Sequence, residues 1–240
     1  MELGALSPAW KRVSAIFAVT MAAWVILITL STGEIIPPVV IFATVFIIWW
    51  GVIRWRPNRI TFSILIGLGL AAIGGNLPFL LSDLGHPESA FGFITGMMPL
   101  AASLLAIAVG LAGWGRLSDN AASKIWVGAA VLFLLAATFS VVQALGLEDE
   151  AAAAGDITLT AESADWEPAT LTAAAGTVAI HVQNQDPIRH TFAIEALDVE
   201  VEVPAATDRR VEFTAAAGTY EFICTVPGHE AMIGTIVVGG

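Results

Sequence analysis

Hydrophobic positions follow two regimes along this chain. Through residue 146 the apolar runs are long and nearly unbroken; from Asp156 onward apolar and polar residues alternate. Five runs in the first regime reach the ~20 residues a helix needs to cross a bilayer. They lie at about 10–31, 36–55, 60–82, 91–114 and 123–145. The first has too long an apolar core for a cleaved signal peptide, and more spans follow it. In the second regime the period is two, the mark of half-buried strands. Residues 157–160, 170–172, 177–182, 190–194, 199–203, 210–214, 220–224 and 234–238 read as strands, separated by Gly, Pro, Asp and Ala-rich breaks. Eight short strands in about 85 residues predict a Greek-key β-sandwich. The fold class is therefore a five-span membrane helical bundle (1–146), an acidic linker (147–155) and an all-β domain (156–240).

Composition sharpens this division. A hydrophobic fraction of 57% and a mean hydropathy of +0.80 exceed those of ordinary soluble proteins. Residues 1–146 hold seven basic and five acidic side chains, whereas 147–240 hold sixteen acidic and three basic ones (Arg189, Arg209, Arg210), a formal charge of −13. Such an acidic surface argues against nucleic acid and for a basic protein partner.

Loop charge predicts orientation. Lys11 and Arg12, then Arg54, Arg56 and Arg59, then Arg116 and Lys124 mark the N-terminus and the second and fourth loops. Glu34, Asp83, His86 and Glu88 occupy the first and third. The positive-inside rule puts the N-terminus in the cytoplasm and the β domain outside the cytoplasmic membrane. Trp10, Trp49, Trp50, Trp55, Trp114 and Trp126 fall near the cytoplasmic ends, as an aromatic belt requires. The glycine-rich third span (Gly67, Gly69, Gly74, Gly75, then Asn76 and Pro78) predicts close helix packing with a kink.

The candidate chemistry sits near the end of the chain. Cys224-Thr-Val-Pro-Gly-His229-Glu-Ala-Met232 puts a thiolate, an imidazole and a thioether on one loop, and His190 heads an upstream strand. Two His, one Cys and a weak Met form the ligand set of a blue-copper site. A lone cysteine allows no intrachain disulfide and excludes a binuclear copper centre with two thiolates. His181 alternates with Ile180 and Val182, which predicts a solvent-facing ring.

The motifs Trp166-Glu-Pro168, Gly176-Thr-Val178, Asn184 through Asp186 to His190-Thr-Phe192, Gly218-Thr-Tyr220-Glu-Phe222-Ile-Cys224 and Pro227-Gly-His229 through Met232 and Gly234 resemble the cupredoxins, the plastocyanin–azurin–halocyanin family. The resemblance covers about a third of the chain. It implies one type 1 copper, with His190, Cys224 and His229 as equatorial ligands and Met232 axial, although only two residues separate His229 from Met232. Thr191, Thr225 and Asn184 are the expected hydrogen-bonding supports. The resemblance also implies electron exit through the edge of His229, framed by Pro227, Ala231 and Ile233. The reading is a membrane electron carrier serving a cytochrome or terminal oxidase with a basic docking surface.

An enzyme such as copper nitrite reductase or a multicopper oxidase needs a second, histidine-rich site, and four histidines without a His-x-His pair do not supply one. The alternative is a copper-handling protein, in which Met97 and Met98, with Met21 and His86, pass Cu(I) to or from the outer domain. Methionine in an apolar helix is more often packing.

Overall fold

The computed structural model describes residues 6–33 and 35–240; Glu34, one of the loop acids used above, lies outside them. The chain divides into two compact units, one of residues 1–84 and 94–138 and one of residues 85–93 and 139–240. Among the described residues there are six α-helices and nine strands.

The helices are α1 (Pro8–Thr32), α2 (Pro37–Trp55), α3 (Arg59–Gly75), α4 (Leu77–Leu84), α5 (Ala90–Gly113) and α6 (Asp119–Leu145). Their ends follow local chemistry. Ser7 caps α1 by accepting the Trp10 amide, and Gly33, at φ 71°, closes it with a bond to the Thr29 carbonyl. Asn58 and Thr61 cap α3 reciprocally, each side chain accepting the other's backbone N–H at 3.0 Å. Among the described residues four helices are individually long and apolar enough to cross a membrane, and α3 with α4, bent by 60° at their junction, is long and apolar enough only as a pair. The break falls at Asn76, whose side-chain amide bonds back to the Ala72 carbonyl at 2.8 Å. Pro78 follows in the first turn of α4, where its missing N–H costs no helical hydrogen bond.

The close packing and the kink expected of the third span are present, at Gly69 and Asn76, while the roles of its other glycines and of Trp10 need correction. Of the third span's glycines, Gly69 alone meets another helix: a Cβ there would lie 2.9 Å from the Ser103 carbonyl oxygen of α5. Gly67, Gly74 and Gly75 have open space, so they serve no helix contact. Trp10 is fully buried in the helical core rather than set in a surface belt, while Trp55, Trp114 and Trp126 are exposed.

The second unit is a two-sheet sandwich. Its strands are β1 (Ile157–Glu162), β2 (Asp165–Glu167), β3 (Thr170–Ala174), β4 (Gly176–Asn184), β5 (His190–Ile194), β6 (Val199–Val203), β7 (Asp208–Ala215), β8 (Gly218–Ile223) and β9 (Ile233–Gly239). One sheet runs β2-β1-β4-β7 and the other β3-β9-β8-β5-β6. All eight strands expected from alternation are present. The ninth, β2, is three residues long and too short to show a period. The repeated Thr-Ala-Ala-Ala-Gly-Thr segments lead into β4 and β8, and pairing of Gly176 with Ala215 places both turns at the same end.

Alternate side chains of both sheets fill one core: Leu159, Trp166, Ile180, Phe192, Phe222 and Ile236 are almost completely buried. Gly234 is required beside Phe222, because a Cβ would collide with that ring. The acidic segment before β1 is not a free tether. The Glu150 amide bonds the Asp208 carbonyl, Asp149 accepts the Asp208 amide, and a Glu150 carboxylate oxygen accepts the Arg210 amide, at 2.8–3.2 Å. This segment covers His181, whose Nε2 lies 2.9 Å from the Glu150 carbonyl. The expected solvent-facing His181 is therefore buried, on the face of β4 opposite the core.

Candidate metal centre

One end of the sandwich gathers the candidate ligands. His190 opens β5, Cys224 follows β8, and His229 sits on the loop between Cys224 and β9. That loop closes on itself: the Cys224 amide bonds the Met232 carbonyl at 3.1 Å, His229 N–H bonds Val226, and Met232 N–H bonds His229. Trp166 Nε1 also donates to the Met232 carbonyl, at 3.2 Å. The Met232 side chain is fully buried in the same core as Cys224.

Strands β5 and β8 pair at a single position, Ala193 with Ile223. They separate toward the ligand end, leaving the Thr191 amide without a ladder carbonyl. It points instead at Cys224 Sγ, 3.4 Å away. Thr191 Oγ1 accepts the Thr225 amide at 2.6 Å and lies 2.8 Å from Thr225 Oγ1. Thr191 thus meets the sulfur directly, whereas Thr225 acts on Thr191. Asn184 supports the loops: its side-chain amide reaches the Ile188, Val203 and Pro204 carbonyls at 2.8–3.0 Å.

The donor atoms converge. Nδ1 of His190 is 3.8 Å and Nδ1 of His229 is 3.6 Å from Cys224 Sγ. All three lie within 4.8 Å of one another. A trigonal ion bound at about 2.0 Å by nitrogen and about 2.3 Å by sulfur would hold each nitrogen about 3.7 Å from the sulfur. The set fits one metal ion, and its soft thiolate with two imidazoles suits copper.

Electrostatics keep both rings neutral. Burial pushes His229 down to about 4, with nearby His190 adding to the effect and Asp186 opposing it. Burial also lowers His190, against the pull of Asp186. Burial works against ionisation of Asp186, but the Ala164 and Ser163 amides and His190 outweigh it and hold that carboxyl below its ordinary value. Neutral imidazole is the form that binds metal.

Asp186 is the site residue that sequence reasoning did not single out. Its Oδ2 lies 2.8 Å from His190 Nε2. The available signal was a carboxylate four residues before a ligand histidine, which also reads as an ordinary loop acid. Of the residues expected in a Cu(I) path, Met21 and Met98 are buried in the helical core. Met97 lines an apolar groove of about 560 Å³ between α5 and α6. His86 lies 3.1 Å from Glu202.

Fold and site together define a cupredoxin-like domain. Residues 128–238 match the family model of the cupredoxin-like domain; the match begins inside α6 and takes in the whole sandwich up to the last residues of β9. Solved structures similar to this chain include the amicyanin of Paracoccus versutus (17% identity, 36% of this chain and 84% of that one, TM-score 0.31). A reduced amicyanin variant (20% identity, 36% and 85%, TM-score 0.31) is another. Among curated proteins none matches the chain.

Proposed function

We propose that the chain is a membrane-anchored type 1 copper protein that carries single electrons between redox partners at the outer face of the cytoplasmic membrane. The observation that carries this reading is the convergence of His190 Nδ1, Cys224 Sγ and His229 Nδ1 at one end of the sandwich. Met232, buried against the same loop, is the axial candidate. Copper held there would supply one-electron redox chemistry.

The chain's own groups do the rest. The Thr191 amide donates to the thiolate, and such bonds tune the potential of a copper–sulfur site. His190 is completely enclosed, whereas His229 keeps an accessible edge beside exposed Ala231 and Ile233. His229 is therefore the exit for the electron. The formal charge of −13 on residues 147–240 would steer a cationic partner such as a cytochrome. Apolar spans fix the domain to the bilayer, and the loop charges favour an extracytoplasmic sandwich.

The test is a visible spectrum of the full chain in detergent, loaded with Cu(II), beside Cys224→Ser. An intense thiolate-to-copper band, absent from the variant and bleached by reductant, is expected. A colourless chain that binds only Cu(I) would overturn the electron carrier in favour of copper handling.

A further inference from the structure

We propose that Asp186 is a positioning residue for the copper site: its carboxylate fixes the tautomer and tilt of His190 and thereby biases the site toward oxidised copper. The inference rests on the copper reading above.

The geometry around this carboxylate is built from three directions. Oδ1 accepts the Ser163 amide at 2.7 Å, and Oδ2 accepts the Ala164 amide at 2.9 Å. Oδ2 also lies 2.8 Å from His190 Nε2. The Asp186 backbone is tied as well: its N–H donates to Asn184 Oδ1 at 2.9 Å, and its carbonyl accepts the Ala206 amide at 3.0 Å. Three hydrogen bonds on the carboxylate and two on its backbone hold it against the ring.

The two amides come from an unusual place. Ser163 and Ala164 form the two-residue turn between β1 and β2, and both have positive φ, 57° and 53°. That conformation is unfavourable for a residue with a side chain. Asp186 holds both amides of this turn, so the turn in turn holds the carboxylate in register with His190.

What the carboxylate does to the ring follows from donor and acceptor counting. An ionised carboxylate only accepts hydrogen bonds. His190 must then carry its proton on Nε2, which leaves a lone pair on Nδ1, the atom facing Cys224 Sγ. The hydrogen bond made by one ring nitrogen decides the role of the other. A negative partner also makes the imidazole a stronger donor, which favours Cu(II) over Cu(I). The ring has few alternatives: His190 is fully buried, with Trp166 6.2 Å and His229 4.8 Å away between centroids.

Asp186→Asn removes the negative partner of His190 while keeping part of the turn anchoring. With its oxygen toward Ser163 the amide still accepts that N–H, but its NH₂ group, in place of Oδ2, accepts neither from Ala164 nor from Nε2–H. It can only donate to Nε2, which favours the tautomer protonated at Nδ1, the wrong one for a ligand. In the full chain, D186N is expected to lose about 10–100-fold in Cu(II) affinity, with less loss for Cu(I). A tenfold loss selective for Cu(II) raises the reduction potential by about 59 mV. Melting of the copper-free chain should move less for D186N than for Asp186→Ala.

Should D186N destabilise the copper-free sandwich, the comparison moves to a Ser163→Gly/Ala164→Gly background. There the turn no longer depends on the carboxylate. In either background, an unchanged potential and Cu(II) affinity would overturn the proposal and leave Asp186 as a turn anchor. A wild-type chain without the thiolate-to-copper band would instead overturn the reading of the site itself.

Discussion

The helical unit and the sandwich bond their polar side chains in different ways. In the helices several hydroxyls bond back to their own turn, Ser14 to the Lys11 carbonyl, Thr20 to Ile16 and Ser63 to Arg59, and the Trp49 and Trp114 indoles reach the Thr61 and Arg59 carbonyls at the start of α3. In the sandwich polar side chains reach across the chain. Asp186 bonds amides 22 and 23 residues away, and Thr191 meets Cys224 and Thr225 over 33 and 34. One unit is specified mainly by local bonds and packed by bulk; the other is held by contacts that exist only once the fold has closed. Single changes should therefore be absorbed in the first and propagate in the second.

The sharpest test compares two apolar truncations. Phe222→Ala removes a fully buried ring from the sandwich core and is expected to cost about 3–5 kcal/mol. Leu132→Ala, on a residue of α6 that is 69% exposed, should stay within about 0.5 kcal/mol. Unfolding of the full chain in detergent measures both, and equal costs would break the contrast. Within the helices, Gly69→Ala should cost about 1–3 kcal/mol by forcing α3 and α5 apart. Gly67→Ala, which meets nothing, should be neutral or slightly stabilising.

Acid should destabilise the sandwich. In the copper-free chain, unfolded His229 gains its proton near 6.5, whereas folded His229 resists until about 4. Between those values the unfolded state binds more protons, so stability is present above 6.5 and falls as the pH drops. His190 shifts in the same sense and adds to this loss, whereas the depressed Asp186 carboxyl, with an ordinary value of 3.8, adds its own loss only at more acid pH. A melting temperature that holds constant from pH 7 to 4 would contradict this. The smallest effect is kinetic: electron exchange with a cationic cytochrome should slow several-fold from low salt to 0.5 M, as screening shortens the range of attraction. A flat salt series removes the steering.

Legibility in the sequence followed the same divide. Strands and long apolar helices were readable because hydrophobic period is local, and Cys224, His229 and Met232 stood out as candidate ligands because one loop carries all three. His190 was readable from its place at the head of a strand. Asp186 was not, since its partners at 163 and 164 become neighbours only through the pairing of β1 with β4. His181 misled for the converse reason. Strand alternation turns it away from the core, but nothing in its own segment shows that the acidic stretch lies over it. The glycines of the third span look alike in sequence, and only the position of α5 distinguishes Gly69.

That acidic stretch has a consequence for handling the protein. β7 is the outer strand of its sheet, and Asp149 and Glu150 occupy the Asp208 amide and carbonyl and the Arg210 amide that this edge would otherwise offer to another molecule. An uncovered edge is a template for strand addition. A soluble fragment cut at Asp156 would carry the whole metal loop yet lack this guard, and polymerise with rising concentration. One cut at Leu147 would keep the guard and stay dispersed, so the useful boundary of the domain lies upstream of its first strand.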